Sequence, residues 1–280
     1  MREIKVDSIT DAVARLCMQS NYNLPGDVYD ALKVAETNET SEAGRDFLAH
    51  AIMNADIARE GMLPICQDTG FAVVFIEVGQ DVHIIGGSLA DAVNAGVANG
   101  CIEGYLRASI VCHPLDRVNT GNNTPAVIHT DIVSGDRVRI TVMPKGGGSE
   151  NVGAMKMMIP SDDEEAVKSF VVETVKAAGS KPCPPIIVGV GLGGIMETAA
   201  SLATYALLRD MSDHSTNPRD AKLESDLLAL VNNTGIGPGG LGGYVTALAV
   251  KVESYPCHIA SLPVAVKIQC HVARHMEAYL

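Results

Sequence analysis

The chain has 280 residues, 47% of them hydrophobic and 4% aromatic, which is enough apolar sequence for a large aliphatic core. Its formal net charge of −12 argues against a nucleic-acid partner, because the phosphate backbone is bound by basic surfaces. No apolar run is long enough to cross a bilayer, and the charged N-terminus lacks the apolar segment of a signal peptide. We therefore expect a cytoplasmic protein that is not embedded in a membrane.

The first sixty residues predict a layer of helices. Apolar residues recur at helical spacing in residues 7–20 and 41–60. Between these segments, Pro25 opens a further helical stretch, in a position where a helix accepts proline.

The middle of the chain predicts strands around one helix. Residues 71–78 form an apolar run typical of a buried strand, and Ser88 is the predicted N-cap of the helix that follows. Two further strands are predicted at 126–133 and 136–143. Because apolar and polar residues alternate in the second, we expect an antiparallel pair with one face in water.

In the second half, a capping box from Ser161 to Glu164 predicts the start of a helix that ends at Gly179. A strand and glycine turn over 184–194 precede another helix. No repeat or linker divides the chain, so we predict one α+β domain over 1–280. Its mixed, largely antiparallel sheet would be surrounded by helices. The helical layer would cover about 1–60 and the remaining α+β part about 61–280.

The glycine turn invites a nucleotide-binding interpretation. Gly189, Gly191 and Gly194 match the G-x-G-x-x-G pattern between a predicted strand and a predicted helix. However, no acidic residue ends a following strand at the expected distance, and no second βαβ half is visible. Close packing of the helix on the strand is therefore the preferred interpretation, and nucleotide binding stays an alternative.

The seven cysteines fall into different contexts. Cys17 and Cys101 lie among apolar helix residues and are predicted to be in the core. Cys66 in "PICQDTG", Cys183 in "KPCPP" and Cys270 in "IQCHVARH" lie off any apolar stripe. Structural zinc usually takes closely paired cysteines, which these are not. Three thiolates would leave one iron of a four-iron cluster open, and such an iron can act as a Lewis acid.

Polar loops add the features of an anion site. The segments "NTGNNTP" and "KGGGSENVGAMK" offer backbone N–H groups of the kind that form anion-binding nests. Arg107, Lys145 and Lys156 supply positive charge in an otherwise acidic chain. Each loop alone is typical of a solvated surface, but their occurrence with three loop cysteines favours a site for an acidic substrate.

Together, the segments "ICQDTG", "LRASIV", "NTGNNTP", "KGGGSEN", "KPCPPIIVGVGLGG" and "QCHVARH" resemble the iron–sulfur (class I) fumarate hydratase family, which includes L-tartrate dehydratases. The resemblance runs from about the third helix to the C-terminus and is greatest to the α subunit of the two-subunit form. It implies a [4Fe–4S] cluster with one open iron, held by Cys66, Cys183 and Cys270. It also implies proton-handling roles for Asp68 and His258. The residues that it places at the substrate are Gln67, Asp68, Arg107, Gly147, Glu150, Asn151 and Lys156.

The activity that this resemblance implies is the reversible hydration of fumarate to L-malate, a tricarboxylic acid cycle reaction. A separate β subunit would supply further substrate-binding groups and the base, so we expect a hetero-oligomer acting on a small dicarboxylate. An L-tartrate dehydratase α subunit is the nearest alternative. A non-catalytic iron–sulfur or redox-sensing subunit is a further one, although a scaffold would need neither Asp68 nor His258.

Overall fold

The computed structural model describes residues 2–280 and has the α+β fold that the sequence predicts, with mixed sheets that contain antiparallel strands. The described chain groups into two compact units. Unit 1 comprises the described residues up to Pro25, together with Asn54–Gly147 and Arg274–Leu280, and unit 2 comprises Gly26–Met53 and Gly148–Ala273. The single domain over 1–280 expected from the sequence, with its division at about residue 60, stays a prediction.

Unit 1 is built on two sheets and two long helices. The bounds are β1 (Arg2–Lys5), α1 (Val6–Tyr22), β2 (Phe71–Gly79), β3 (Val82–Ile85), α4 (Leu89–Glu103), β4 (Val127–Val133), β5 (Val138–Lys145) and β10 (Met276–Tyr279). A two-stranded parallel sheet pairs β1 with β3, and a four-stranded sheet has the order β10-β5-β2-β4.

The core of unit 1 lies between its helices and the four-stranded sheet. Apolar residues of α1 and α4 form one buried cluster with side chains of β2 and β5. The two helices approach so closely that a Cβ at Gly100 would lie 2.7 Å from the carbonyl oxygen of Ala14, a distance that only glycine allows. The predicted Ser88 cap of α4 is confirmed, since its hydroxyl accepts a hydrogen bond from the N–H of Asp91 at 3.4 Å.

Residues 2–5, which precede the first predicted helix, form β1, which pairs with β3. One prediction for unit 1 is wrong, namely the pairing of the strands predicted at 126–133 and 136–143. Strands β4 and β5 are not partners, because β2 lies between them, parallel to β4 and antiparallel to β5. The polar side of β5 is only partly in water. Thr141 is buried, and the partly exposed Arg139 forms ion pairs with Glu77 and Glu277 on the neighbouring strands.

Unit 2 contains a four-stranded mixed sheet with helices on both faces. The bounds are α2 (Gly26–Asn38), α3 (Glu42–Gly61), α5 (Gly147–Glu150), β6 (Ala154–Met158), α6 (Glu164–Ala178), β7 (Ile186–Gly193), α7 (Met196–Ala206), α8 (Pro218–Asn232), β8 (Ala247–Tyr255) and β9 (Leu262–Gln269). The strand order is β6-β9-β7-β8. Helix α3 begins in unit 2 and continues into unit 1, and the short α5 begins at Gly147, the last residue of unit 1's central segment.

The glycines of the G-x-G-x-x-G segment serve helix packing. Helix α7 lies on β7 through Ala199 and Ala203, and a Cβ at Gly189 or Gly191 would meet the carbonyl oxygens of those alanines. The opposite face of the sheet is covered by α6 and α8. The preferred interpretation of this motif, close approach of helix and strand, is therefore confirmed.

The predicted capping box of α6 is wrong. The cap is Asp163, whose carboxylate accepts a hydrogen bond from the N–H of Ala166 at 2.9 Å, so the helix begins at Glu164. An aspartate closer to the helix competes successfully with Ser161 because its charge also favours the helix N-terminus. The predicted end at Gly179 is confirmed by its N–H bond to Val175.

Among residues 2–280, no helix combines the length and apolar character that spanning a bilayer requires.

Candidate active site

The segment that contains Cys66 is a turn held in unit 1 between α3 and β2. It is anchored at Ile65, whose N–H donates to the carbonyl of Asn21 at 2.9 Å and whose carbonyl accepts from the Asn54 side chain at 2.8 Å. At its other end, Gly70 has a φ of 70°, and a Cβ there would lie 2.5 Å from the carbonyl oxygen of Lys145. The turn therefore needs glycine at this position.

Within this turn, the carboxylate of Asp68 is fixed by backbone N–H groups. Oδ1 accepts a hydrogen bond from Gly70 at 3.1 Å, and Oδ2 accepts one from Gly147 at 2.8 Å. The backbone carbonyl of Asp68 accepts a third bond, from Nη2 of the buried Arg274 at 2.7 Å. Such contacts give the half-buried carboxylate a single defined orientation.

The turn is also tied to the segment that carries Arg107. The buried Thr69 hydroxyl donates to the carbonyl of Arg107 at 2.9 Å. The Arg107 side chain is exposed, and within residues 2–280 its guanidinium group forms no hydrogen bond or ion pair. A guanidinium in that state can bind a carboxylate of a ligand in two parallel hydrogen bonds.

Cys66 takes part in two hydrogen bonds within the turn. Its Sγ accepts one from the N–H of Asp68 at 3.4 Å, and the thiol donates one to Oε1 of Gln67 at 3.4 Å. Backbone donors to sulfur are also found around the cysteine ligands of iron–sulfur clusters. The Gln67 side chain is exposed.

The other two candidate cysteines lie on neighbouring segments of unit 2. The carbonyl of Cys183 accepts hydrogen bonds from the backbone N–H of His271 at 3.4 Å and from its Nδ1 at 2.9 Å, and His271 directly follows Cys270. Cys183 is exposed and has a φ of 52°, which is uncommon for a residue with a side chain. Conformational strain of this kind is concentrated at functional sites.

The remaining cysteines differ in burial. Cys17 and Cys101 are buried, as predicted, and burial raises the pKa of both thiols, that of Cys17 to about 12, with the neighbouring Cys101 adding to the effect. Cys112 and Cys257 are exposed.

The three candidate ligands are divided between the two units. Cys66 belongs to unit 1, whereas Cys183 and Cys270 belong to unit 2. Over the described part of the chain, no group of three or more His, Cys, Asp and Glu side chains is placed to hold a metal ion.

The candidate proton-transfer residue His258 lies on an exposed turn of unit 2. Its Nδ1 accepts a hydrogen bond from the N–H of Ala260 at 3.1 Å, and its carbonyl accepts from the N–H of Ser261 at 2.9 Å. The neutral imidazole therefore carries its proton on Nε2, from which it can be donated to a ligand.

The candidate pocket segment forms the short helix α5 and the edge strand β6. Gly147 donates to Asp68 as described above, and Glu150 lies 3.6 Å from the ammonium group of Lys267. Asn151 and Lys156 are exposed, and Lys156 is paired through its backbone with Val264 of β9.

Two residues at this site were not assigned a role from the sequence. Asn123 is buried and bridges the Asp68 turn to the Arg107 segment, and Arg274 holds the Asp68 carbonyl. Both lie inside the segments "NTGNNTP" and "QCHVARH" that carry the family resemblance. Their place in those segments is the sequence feature that could have identified them as site residues. Hydrophobic periodicity could not, because it gives no information about long-range polar contacts.

Comparison with known proteins agrees with the sequence motifs. A protein named "Putative L(+)-tartrate dehydratase subunit alpha" from Methanocaldococcus jannaschii is 42% identical over 274 residues, which cover 95% of each chain. L(+)-tartrate dehydratase subunit alpha from Escherichia coli O157:H7 is 35% identical over 273 residues, covering 96% of this chain and 89% of the relative. The family model described as fumarate hydratase (Fumerase) matches residues 10–279. The chain therefore belongs to the fumarate hydratase family, which groups it with hydro-lyases.

Proposed function

We propose that this chain is the α subunit of an iron–sulfur hydro-lyase that interconverts fumarate and L-malate together with a separate β subunit. The single observation that carries the proposal is the Asp68 carboxylate, fixed by two backbone N–H groups two residues after Cys66. A metal-ligand candidate and an oriented carboxylate on one turn are suited to a metal-dependent hydro-lyase. Membership of the family supports this assignment.

The donor set fits a [4Fe–4S] cluster. Cys66, Cys183 and Cys270 are all accessible thiols, unlike the buried Cys17 and Cys101. The N–H bond to Cys66 Sγ and the proximity of the Cys183 and Cys270 segments also suit thiolate ligation. We assign these three cysteines as the residues that would hold the cluster. When bound, a cluster with one iron free of protein ligands supplies a Lewis acid.

The substrate would be bound by cations and amides of this chain. Arg107 would pair with one carboxylate, since its guanidinium is exposed and has no partner within residues 2–280. Gln67 would offer its exposed side-chain amide to the same ligand, and the exposed Lys156 would add positive charge. Gly147, Glu150 and Asn151 would line the pocket.

Proton handling would fall to Asp68 and His258. The fixed carboxylate of Asp68 is suited to hold or orient a proton at Oδ1 or Oδ2 near C3 of the substrate. His258 would donate a proton from Nε2, the nitrogen left protonated by its bond to Ala260. The base that removes the C3 proton would come from the β subunit.

L-tartrate is the second candidate substrate, because the relatives at 34–42% identity carry the name L(+)-tartrate dehydratase subunit alpha. Dehydration of L-tartrate would use the same chemistry on a substrate with one additional hydroxyl group. The relatives' subunit name likewise supports a β subunit as the partner.

The test is a comparison of substrates. The chain, co-expressed with its β subunit and loaded with iron and sulfide under anaerobic conditions, would be assayed with fumarate, mesaconate and L-tartrate. We expect the highest kcat/KM with fumarate, with L-malate as product. A higher kcat/KM for L-tartrate, giving oxaloacetate, would favour the second candidate. Absence of turnover with all three, in protein that retains its iron, would contradict the proposal.

A further inference from the structure

Asn123 occupies a position that the proposed roles do not explain. Asn123 lies in the loop that follows the Arg107 segment, and only 5% of its surface is exposed. A carboxamide buried to this extent costs free energy unless its donor and its acceptor both have partners.

Both partners come from the candidate site in unit 1. Oδ1 of Asn123 accepts a hydrogen bond from the N–H of Ser109 at 2.9 Å, two residues after Arg107. Nδ2 donates to the carbonyl of Gly70 at 3.1 Å, two residues after Asp68. One side chain thus links the segment of a proposed substrate cation to the turn of a proposed catalytic carboxylate.

The residue type is also constrained by the backbone. Asn123 has a φ of 60°, a left-handed conformation that asparagine tolerates better than most residues with a side chain. Aspartate could replace the acceptor but has no hydrogen to donate to Gly70. Glycine would suit the backbone and would remove both hydrogen bonds.

We propose that Asn123 is a positioning residue, which sets the orientation of the Asp68 carboxylate and its placement relative to Arg107. The proposal rests on the hydro-lyase function given above. Two hydrogen bonds connect Asn123 to the Asp68 carboxylate. Nδ2 of Asn123 donates to the carbonyl of Gly70, and the N–H of Gly70 donates to Oδ1 of Asp68.

Three variants separate this role from general stability. Asn123→Asp keeps the shape and the bond to Ser109 while placing an oxygen against the Gly70 carbonyl. Asn123→Gly removes both bonds and leaves the backbone unstrained. Asn94→Ala is the matched control, because Asn94 accepts from the N–H of Ala126 at 2.8 Å, beyond the same loop, and makes no hydrogen bond to the Asp68 turn.

The first readout is the kinetics of fumarate hydration by the cluster-loaded enzyme with its β subunit. The value of kcat is expressed per bound cluster. We expect both Asn123 variants to lower kcat by roughly tenfold to a hundredfold, because a small misplacement of a catalytic group has effects of that size. KM should change much less, since the Arg107 guanidinium is retained. Asn94→Ala should leave both constants unchanged. Wild-type kcat in both Asn123 variants would overturn the inference.

The second readout does not need activity. The N–H of Gly147 donates to Oδ2 of Asp68, so its hydrogen exchange, followed by NMR in the full-length chain, reports whether that carboxylate is held. We expect faster exchange in both Asn123 variants and no change in Asn94→Ala. Equal exchange in all proteins would overturn the inference. If the wild type had no hydro-lyase activity but Asn123 still controlled this exchange, the proposed function would be wrong and the positioning role would hold.

Discussion

Asp68 and His258 lie on different turns, and hydrogen bonds from backbone N–H groups to each side chain are defined. Two backbone N–H groups orient the carboxylate of Asp68, whereas the bond from Ala260 leaves the proton of neutral His258 on Nε2. These contacts involve neither thiolate ligation nor a large part of the core. Their removal should therefore affect chemistry more than folding.

We predict that Asp68→Asn and His258→Asn keep their iron and lose activity. Removal of a proton-transfer group typically lowers the rate by on the order of 10²–10⁴. Iron content, visible absorbance and kcat would be measured on the same preparations with the β subunit present. Near-normal turnover in either variant would remove that residue from the mechanism, and loss of iron would indicate a structural role instead.

A second prediction at the level of residues concerns the three proposed cysteine ligands. Cys66→Ser, Cys183→Ser and Cys270→Ser should each abolish the iron–sulfur absorbance or make it unstable, because each removes one proposed ligand. Three controls follow from burial and position. Cys17→Ala and Cys101→Ala change core thiols, and Cys112→Ser changes an exposed thiol that the cluster proposal does not use. Equal iron in all six variants would show that the ligand assignment is wrong.

Among the elements, the start of α3 depends on one buried carboxylate in unit 2. Glu39 is 3% exposed, and its oxygens accept hydrogen bonds from the N–H groups of Thr40, Ser41, Tyr244 and Val245 at 2.7–3.1 Å. Burial raises the pKa of Glu39, but the four backbone N–H donors outweigh it, so the net pKa is lowered from its ordinary value of 4.5. The folded state therefore favours the ionised form.

This arrangement predicts an acid-dependent contribution to stability. Because the folded-state pKa of Glu39 is lowered, its contribution is complete above about pH 4.5 and is lost as the pH falls through the folded-state value. Glu39→Gln should lower the free energy of unfolding by about 2 kcal/mol at pH 7, since hydrogen bonds to a charged group are lost.

Urea unfolding of Glu39→Gln and the wild type at pH 7 and at pH 4 or below provides the measurement. The difference between them should shrink at the lower pH. Glu36→Gln, three residues earlier on α2, is the control and should remain within about 0.5 kcal/mol of the wild type at both pH values. A pH-independent difference for Glu39→Gln would contradict the assignment.

The elements also show what the sequence can and cannot predict. The Ser88 cap, the end of α6 at Gly179 and the glycine packing of β7 were predictable, because each depends on residues close together in the chain. The pairing of β5 with β2 was not, since alternation along one strand does not identify its neighbours. The ion pairs of Arg139 were not predictable either, because its carboxylate partners lie on other strands.

The same distinction applies to the candidate site. The motifs identified Cys66, Asp68 and Arg107 as candidates, and the structure connects the turn of the first two to the backbone of the third. The bridging role of Asn123 and the bond from Arg274 to the turn were not predictable, because they join residues 53 and 206 positions apart. Such contacts exist only in the folded chain.

For the whole molecule, the central question is whether this chain contains a complete active site. A dicarboxylate needs a positive group at each end, and in a chain with a net charge of −12 the proposed cations are Arg107 and Lys156. The proposed base is on the β subunit. We therefore predict that the α chain alone can bind the cluster but cannot turn over substrate at the full rate.

The most direct measurement is fumarate hydration by the cluster-loaded α chain, titrated with its β subunit under anaerobic conditions. Iron content per α chain would be held constant throughout the titration. We predict little or no activity for the α chain alone, and a rate that rises with added β subunit to a stoichiometric plateau. Full hydratase activity from the α chain alone, or none at any ratio of the two subunits, would contradict the account.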